Sequence, residues 1–238
     1  PRLTAVDVVG LTGGVASITT GGSHTCALTA TGGVKCWGSN GSGQLGDGSS
    51  TNRSTPVDVN GLASGVSAID AGRSHSCVLT AAGGVKCWGY NAFGQLGDGS
   101  TATRLTPVDV SGLAGGVAAI AAGAYHSCGL TTAGGVKCWG NNVYGALGDG
   151  STTTRLTPFD VSGLASGVSA IAVGTYRTCA LTATGGVKCW GNNGFGALGD
   201  GSTTNRLTPV NVGGLASGVA AIAAGGNHTC ALTAAGGV

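Results

Sequence analysis

The sequence contains no methionine and no glutamate, and only 8% of its 238 residues are charged. The few charges are spread along the chain and give a formal net charge of +2, so there is no basic cluster of the kind that nucleic-acid-binding proteins present. Glycine, serine and threonine interrupt every apolar stretch before it reaches the roughly 20 residues that a transmembrane helix needs. The sequence therefore predicts no nucleic-acid partner and no membrane insertion.

Two further patterns are missing. No stretch longer than a turn repeats its apolar residues at the 3.6-residue spacing of a helix, which excludes a helical repeat. The sequence also contains no Ser-His-Asp pattern, no paired carboxylates and no phosphate-binding loop in a suitable context. We therefore expect an all-β protein that is not an enzyme and that uses no cofactor.

One motif, His-Thr-Cys-Ala-Leu-Thr-Ala-Thr-Gly-Gly-Val-Lys-Cys-Trp-Gly at residues 24–38, organises the rest of the chain. It returns at residues 75–89, 126–140 and 177–191, with Arg177 in place of the last histidine, and begins again at His228. A fixed period of this size is typical of a propeller, a solenoid or an array. The first cysteine of the motif recurs every 51 residues, at Cys26, Cys77, Cys128, Cys179 and Cys230.

The alternation of residues in the motif predicts a β-hairpin. Residues 24–29 and 33–37 alternate small apolar with polar side chains, and Gly32 stands in the turn where a left-handed backbone is required. Pairing across this turn places Cys26 opposite Cys36 in a non-hydrogen-bonded pair. The Cα atoms of such a pair lie about 4.5 Å apart, which just enters the range that a disulfide spans.

The hairpin register predicts four disulfides and one cysteine left over. Reduced cysteines packed as small apolar residues are an alternative, and zinc binding is disfavoured because the sequence has no Cys-x-x-Cys. Disulfides persist in oxidising compartments, so the pattern predicts an extracellular or cell-surface location. The predicted pairs are Cys26–Cys36, Cys77–Cys87, Cys128–Cys138 and Cys179–Cys189, and Cys230 is unpaired within residues 1–238.

A further strand is predicted on each side of the hairpin. In the second repeat Val66 and Ile69 anchor the strand before it, and Thr106–Val110 has the pattern of a strand after it. The first 20 residues would supply only a fourth strand, Thr4–Val8, and a first strand, Val15–Thr19. Four short strands in each 51-residue period form one blade of a β-propeller. We predict one repeat domain over residues 1–238, with about five such blades and the last incomplete.

Three segments of each repeat resemble the regulator-of-chromosome-condensation repeat: Gly-x-x-His-(Thr/Ser)-Cys-Ala-Leu-Thr, Gly-Gly-Val-Lys-Cys-Trp-Gly and Asn-x-x-Gly-(Gln/Ala)-Leu-Gly-Asp-Gly. The resemblance covers the whole chain. It implies a β-propeller, commonly of seven blades, so that these residues would be a propeller or a segment of a larger one. The family includes a nuclear guanine-nucleotide exchange factor and secreted bacterial proteins, and the cysteine-bearing variant here resembles the secreted bacterial members more.

Two sets of repeated aromatic or histidine residues have structural interpretations. The histidines could be ligands or bases, but no carboxylate recurs beside them and Arg177 replaces one of them, which favours structural hydrogen bonds. The tryptophans recur without variation, as packing residues between blades would. The histidines are His24, His75, His126 and His228, and the tryptophans are Trp37, Trp88, Trp139 and Trp190.

Each repeat also carries an Asp-Gly-Ser run. One carboxylate per run is too little charge for a tight calcium site, so we expect turns stabilised by the aspartate side chain. Separately, three asparagines stand in glycosylation sequons that can arise by chance in a chain so rich in serine and threonine. The aspartates are Asp47, Asp98, Asp149 and Asp200, and the asparagines are Asn40, Asn52 and Asn227.

The positions that differ between repeats are the best candidates for partner recognition, because structural positions have to be the same in every blade. They cluster just before and just after each hairpin, which places them on one rim of the propeller. Tyrosine and arginine on exposed loops are typical of interface hot spots, whereas local packing is the alternative for the two phenylalanines and Tyr144. The candidate rim residues are Arg73, Tyr90, Phe93, Tyr125, Tyr144, Tyr176, Arg177 and Phe195.

Together these features predict a non-enzymatic extracellular or cell-surface binding or structural module. Its propeller rim would contact a protein partner or a second copy of the chain. The alternative is a regulatory protein that acts on one enzyme, as an inhibitor or in the manner of an exchange factor. A third possibility is an enzyme whose site lies in blades outside this sequence.

Overall fold

The computed structural model describes Thr4, residues 6–11 and residues 13–238. In these residues the chain forms eighteen β-strands and no helix. Units 1 to 4 each form a four-stranded antiparallel sheet with the strands in chain order, and unit 5 contributes a two-stranded sheet. The all-β prediction, with four-stranded blades and an incomplete fifth, is confirmed.

The strands follow the repeat. Unit 1 is β1 (Val15–Thr20), β2 (His24–Thr29), β3 (Val34–Gly38) and β4 (Arg53–Asp58). Unit 2 is β5 (Val66–Ala71), β6 (His75–Thr80), β7 (Val85–Gly89) and β8 (Arg104–Asp109). Unit 3 is β9 (Val117–Ala122), β10 (His126–Thr131), β11 (Val136–Gly140) and β12 (Arg155–Asp160). Unit 4 is β13 (Val168–Val173), β14 (Arg177–Thr182), β15 (Val187–Gly191) and β16 (Arg206–Asn211), and unit 5 is β17 (Val219–Ala224) and β18 (Thr229–Thr233).

The first strands of successive units lie beside one another: β1 contacts β5, β5 contacts β9, β9 contacts β13 and β13 contacts β17. This is the arrangement in which the inner strands of propeller blades surround an axis. Within each unit the hairpin has the predicted register, with Cys26 opposite Cys36 and Leu28 opposite Val34 in unit 1. Gly32 in the turn has a φ of 79°, the left-handed conformation that the turn requires.

Two predicted strands differ from the structure. The fourth strand of unit 2 begins at Arg104 and ends at Asp109, rather than spanning Thr106–Val110. Gly89 pairs with Arg104 after a bulge, and Asp98 holds the guanidinium of Arg104, so strand pairing starts earlier than the proline pattern indicates. At the predicted strand Thr4–Val8, Ala5 lies outside the described residues, and Thr4 and residues 6–8 are not in a strand.

The core lies between successive sheets, and we call the contact between two successive units a joint. The cluster between units 1 and 2 contains Cys26, Cys36, Leu45 and Val59 from unit 1, with Trp88 of unit 2 packed into it. Trp139 and Trp190 occupy the corresponding clusters of the next two joints. The predicted role in packing between blades is therefore confirmed for Trp88, Trp139 and Trp190, each of which completes the core of the unit before its own.

The four pairs of hairpin cysteines are bonded as the register predicts, each with its Cα atoms 4.1 Å apart. The bonded cysteines are buried, and Cys230 is an exposed free thiol. Each disulfide joins the two middle strands of a blade, so it braces the sheet against which the next blade packs.

We expect alkylation of the native, unreduced protein to label Cys230 alone. Peptide mapping without reduction should then recover four linked peptide pairs, one for each hairpin, because the eight other cysteines are buried in disulfides. Labelling of all nine cysteines would contradict the pairing and, with it, the oxidising compartment that the pairing predicts.

Truncation of a tryptophan at a joint between units should cost more than truncation of one outside a joint. Trp139→Ala should lower the free energy of unfolding by about 3–5 kcal/mol, because it empties a fully packed core position. Trp37 is only half-buried, so Trp37→Ala is the matched control and should cost less. Chemical denaturation followed by circular dichroism measures both, and equal losses would contradict the assigned role.

Candidate functional site

The variable rim residues come from two loops of each unit. One loop joins the first strand to the hairpin, and the other follows the third strand. Five of the predicted aromatic residues meet there in one continuous cluster, drawn from units 2, 3 and 4. We call this cluster the aromatic face: Tyr90, Phe93, Tyr125, Tyr144 and Tyr176.

The rings of the aromatic face touch in series. The centre of the Phe93 ring lies 6.3 Å from the centre of the Tyr90 ring and 5.7 Å from that of the Tyr125 ring, and both pairs are edge to face. Tyr125 stacks on Tyr176 at 5.2 Å with 20° between the ring planes. Tyr144 meets Tyr176 edge to face at 5.1 Å. These separations are those of favourable aromatic pairs, so the five side chains stabilise one another and form a pre-ordered surface.

Arg73 lies against the aromatic face. Its guanidinium is 5.7 Å from the centre of the Tyr125 ring, and its Nη1 donates a hydrogen bond of 2.9 Å to the Tyr125 hydroxyl. The arginine side chain is exposed, and no carboxylate within the described part of the chain forms an ion pair with it. Arg73 therefore brings a positive charge, with N–H donors to spare, to the edge of the aromatic face.

Burial raises the pKa of the Tyr176 hydroxyl above its ordinary value, and the neighbouring Tyr125 and Tyr144 raise it further. The phenol is therefore neutral at physiological pH and keeps its proton for donation. A surface of tyrosine hydroxyls and ring faces with one arginine beside it is suited to amphipathic contacts.

Two of the predicted rim residues do not belong to the aromatic face. Phe195 is 78% exposed and belongs to no aromatic pair in the residues that the structure describes. Arg177 is only 2% exposed, so its prediction as a rim residue is wrong. Arg177 opens β14 in the place of the repeated histidine, and a side chain at that position points into the joint with the next unit.

The guanidinium of Arg177 forms hydrogen bonds with the start of unit 5. Its Nε donates to the Thr229 hydroxyl at 3.1 Å, and Nη1 and Nη2 donate to the carbonyls of Gly226 and Gly225 at 3.1 and 3.0 Å. Nη2 also donates to the carbonyl of His228. Burial lowers the pKa of Arg177. Arg177 therefore joins two blades. The sequence indicated this role, because Arg177 stands at the repeat position of the structural histidines.

The loop that carries Phe93 is braced by hydrogen bonds. The Asn91 amide donates to Asp98, and Asp98 accepts hydrogen bonds from Ser100 and, at 2.8 Å, from Nε of Arg104. Burial alone would raise the pKa of Asp98, but the hydrogen bonds from Ser100 and Arg104 outweigh it and hold the pKa below its usual value. The aspartate therefore stabilises its turn as predicted and has an arginine as its ionic partner.

A buried chain of hydrogen bonds at each joint holds the same loop. His75 Nε2 lies 2.9 Å from the Ser127 hydroxyl of unit 3, and that hydroxyl donates to the carbonyl of Gln95. Trp139 Nε1 donates to the same carbonyl at 2.9 Å. Because the serine proton goes to Gln95, the histidine must carry its proton on Nε2. The predicted structural role of the histidine is confirmed at this joint.

Nδ1 of His75 is then an acceptor, and it is buried without a hydrogen-bond partner among the described residues; the same holds for Nδ1 of His24 and His126. Burial lowers the pKa of His75 to about 3, with smaller contributions from His24 and His126. The other two histidines have pKa values of about 4 and about 3 for the same principal reason. All three are neutral in the folded protein at physiological pH.

A cavity of about 660 Å³ opens beside Arg73, around the axis of the propeller. Its wall includes a glycine at the end of each first strand, and a Cβ atom on Gly72 would collide with the carbonyl oxygen of Gly123.

Asp70, which the sequence analysis did not identify, links three inner strands. Its carboxylate accepts hydrogen bonds from the Thr19 hydroxyl at 3.0 Å and from the Ala122 amide at 2.8 Å. Burial raises the pKa of Asp70.

The sequon prediction separates into two cases. Asn40 is fully buried, and its side-chain amide donates to Asp47 and to backbone carbonyls, so it is closed to glycosylation in the folded protein. Asn52 and Asn227 are exposed.

None of the described residues forms a helix long and apolar enough to pass through a bilayer.

The blades, the axial cavity and the loops of the rim define a β-propeller. The whole chain, residues 1–238, matches the family described as the RCC1-like domain, and the chain belongs to that family. This confirms the family predicted from the repeat motifs. The narrower resemblance to secreted bacterial members remains a prediction.

Among curated proteins, the chain is 34% identical over 227 residues to the ultraviolet-B receptor UVR8 of Arabidopsis thaliana, covering 93% of this chain and 52% of the receptor. It is 36% identical over 207 residues to the probable E3 ubiquitin-protein ligase HERC4 of Homo sapiens, covering 84% of this chain and 19% of the ligase. The chain thus spans about half of the first relative and a fifth of the second.

Among solved structures, human WBSCR16 superposes with a TM-score of 0.83 and 27% identity, over 94% of this chain and 59% of that protein. Yeast RCC1 (Prp20), in a structure with Kap60, superposes with a TM-score of 0.79 and 23% identity, over 90% of this chain and 53% of that one. Both likenesses support the propeller fold.

Stability should fall as the pH drops below the ordinary pKa of histidine. His75 has a pKa of about 3 in the folded state against 6.5 for an unperturbed histidine, so between these values only the unfolded chain takes up a proton. His75→Gln should therefore reduce the slope of unfolding free energy against pH by about 1.4 kcal/mol per unit between about pH 4 and about pH 6. Chemical denaturation across that range measures the slope. His228→Gln, at an exposed histidine, is the control, and an equal change there would contradict the assignment.

Proposed function

We propose that this chain is a non-catalytic protein-interaction module that binds a protein partner on the aromatic face. The observation that carries the proposal is the contact of five aromatic rings from three successive units, on loops, with an arginine beside them that lacks a carboxylate partner among the described residues. Clustered tyrosine and arginine side chains provide much of the binding energy at protein interfaces. Ring pairs that are already packed lose little side-chain freedom on binding.

Unit 1 argues against local packing as the reason for these rings. Ser23, Ser39 and Ser42 stand there at the positions of the aromatic residues, and unit 1 forms the same four strands. The repeat therefore folds without aromatic side chains at these positions. Their presence in units 2 to 4 supports a role in recognition.

The chemistry of the face favours a particular kind of partner. Arg53, Arg104, Arg155 and Arg206 each pair with an aspartate of their own loop. Among the described residues, the guanidinium of Arg73 interacts only with the ring and hydroxyl of Tyr125. A partner segment that lays an apolar side chain on the rings and a carboxylate against Arg73 would satisfy both features. We infer an acidic, partly apolar segment of a protein as the partner.

The four disulfides support an extracellular or cell-surface location, because such bonds persist in oxidising compartments. The alternative function, a regulatory protein acting on one enzyme, would use the same face. The two differ in outcome, since a regulator changes the rate of the enzyme in a saturable way whereas an adhesive or structural module does not.

The test is selection of a displayed peptide library on the folded protein. Selected peptides should combine an acidic residue with apolar or aromatic ones. Tyr125→Ser with Tyr176→Ser should weaken their binding at least about thirtyfold, as loss of a hot spot of about 2 kcal/mol would. Serine stands at this position in units 1 and 2, as Ser23 and Ser74, so the substitution is compatible with the fold.

Phe195→Ser provides the matched control, since Phe195 is an exposed aromatic residue of the equivalent loop that lies outside the aromatic face. The Phe195→Ser variant should bind the selected peptides with unchanged affinity. Melting curves should show that all variants are folded. Arg73→Ala should weaken binding most at low salt. Peptides that bind the double tyrosine variant as tightly as the original protein would overturn the proposal.

A further inference from the structure

Two tyrosines at the same repeat position are stacked on each other across the joint of units 3 and 4. Tyr125 and Tyr176 each stand just before the hairpin of their own unit, one repeat period apart. Their ring centres are 5.2 Å apart and their ring planes differ by 20°. Because successive blades repeat the same backbone, equivalent side chains of neighbouring units project in nearly the same direction. Two rings at this position therefore become near-parallel neighbours.

The hydroxyl groups of this pair lie near each other. Arg73 Nη1 donates to the Tyr125 hydroxyl oxygen at 2.9 Å, which holds that ring in place and leaves the phenolic proton of Tyr125 free to leave. The pKa of the Tyr176 hydroxyl is raised by burial and then by Tyr125, as expected of two hydroxyls at the same end of the stack. The ring carbons next to the two oxygens are therefore neighbours as well.

The tyrosine pair is also open to oxidation. Both side chains are only half-buried, so electrons can pass from them to an oxidant at the surface. The sequence contains no methionine, which in other proteins takes up oxidising equivalents. Trp88, Trp139 and Trp190 are buried, and the hairpin cysteines are already oxidised to disulfides. One-electron oxidation of this chain is therefore directed to its tyrosines.

We propose that Tyr125 and Tyr176 are an oxidative modification site at which the two phenols couple to form dityrosine. Hydrogen peroxide is the oxidant, and a haem peroxidase is the class of enzyme that applies it. The product is a carbon–carbon bond that links unit 3 to unit 4 on the rim, in addition to the hydrogen bonds of their joint. The reaction requires no partner on the aromatic face, so its failure and the failure of the proposed function are separate outcomes.

The coupling balances in atoms and electrons. Each phenol loses one electron and its hydroxyl proton and becomes a neutral phenoxyl radical. The two unpaired electrons form the bond between the ring carbons next to the oxygens. The hydrogen on each of these carbons leaves as a proton while each oxygen takes up a proton, which restores both aromatic rings. The two electrons and two protons that the pair loses reduce one molecule of hydrogen peroxide to two molecules of water.

Tyr144 is the competing partner for Tyr176. The two ring centres are 5.1 Å apart, but the ring planes meet at 69°, so one ring presents its edge to the face of the other. Near-parallel rings need only slide past each other to bring the two carbons into contact, whereas edge-to-face rings have to turn first. The geometry therefore favours Tyr125. Tyr90 has Phe93 as its ring neighbour, which cannot couple in this way.

The first experiment oxidises the full chain with hydrogen peroxide and a haem peroxidase at low protein concentration. A Cys230→Ser background removes the exposed thiol, which would otherwise consume radicals. Dityrosine is followed by its blue fluorescence in the monomer fraction after size-exclusion chromatography. Tyr125→Phe and Tyr176→Phe should each lower the initial rate at least about tenfold, because groups held in contact react as if they were highly concentrated. Dityrosine that forms only in dimers would overturn the proposal.

Tyr144→Phe and Tyr90→Phe are the matched controls, since each removes one phenol of the aromatic face and keeps its ring. Both should leave the initial rate unchanged, and melting curves should show that all four variants are folded. If Tyr144→Phe lowers the rate as much as Tyr125→Phe does, the stacked pair is not the site and the proposal is wrong.

The second experiment identifies the bond by mass spectrometry. Trypsin cleaves after lysine and arginine, so once the disulfides are reduced it places the four tyrosines on four different peptides. The oxidised monomer should give residues 105–137 linked to residues 156–177, with two hydrogen atoms fewer than the separate peptides. Linkage of residues 138–155 to residues 156–177 would contradict the proposal, as would peptides that are oxidised but not linked.

Discussion

The structure depends on the hydrogen-bonded joint between successive units. At each of the first three joints a buried histidine donates to a hydroxyl of the next unit, that hydroxyl donates to a loop carbonyl, and an indole donates to the same carbonyl. Burial makes each of these polar groups costly unless all of its partners are present. The joint therefore fixes the position of each blade relative to its neighbour, and it anchors the loop that carries the variable residues.

The residues that hold the fold together differ from the residues proposed to bind a partner. The joint of units 2 and 3 fixes the carbonyl of Gln95, and the side chain of Gln95 accepts a hydrogen bond from the Phe93 amide at 3.0 Å. The side chain of Phe93 is left to meet Tyr90 and Tyr125. A constant frame thus holds residues that differ between units. Arg73 uses the same freedom, since its position is glycine in units 1 and 5 and carries no charge in units 3 and 4.

The sequence predicted most of the fold because its signals are local and repeated. The turn at Gly32 and the pairing of Cys26 with Cys36 determine the hairpin register, and variation among units identified the residues of the aromatic face. Arg177 was misplaced because a strand-opening residue points into the joint, which loop position alone does not indicate. Asp70 gave no signal, since its partners Thr19 and Ala122 lie 51 and 52 residues away. The sequence identified the residues of the aromatic face. It did not predict the order in which their rings touch, or that Phe195 lies outside the aromatic face.

Trp88, Trp139 and Trp190 each fill an apolar slot in the unit before their own, so the units complete their cores in chain order. Successive tryptophans are 51 residues apart, so the core of one unit is completed one full repeat later than the core of the unit before it. At roughly 5–20 residues per second that delay is roughly 3–10 s per unit. The growing chain therefore carries one unfinished apolar slot, which moves along as each new tryptophan arrives, and this slot is the surface that a chaperone would meet during synthesis.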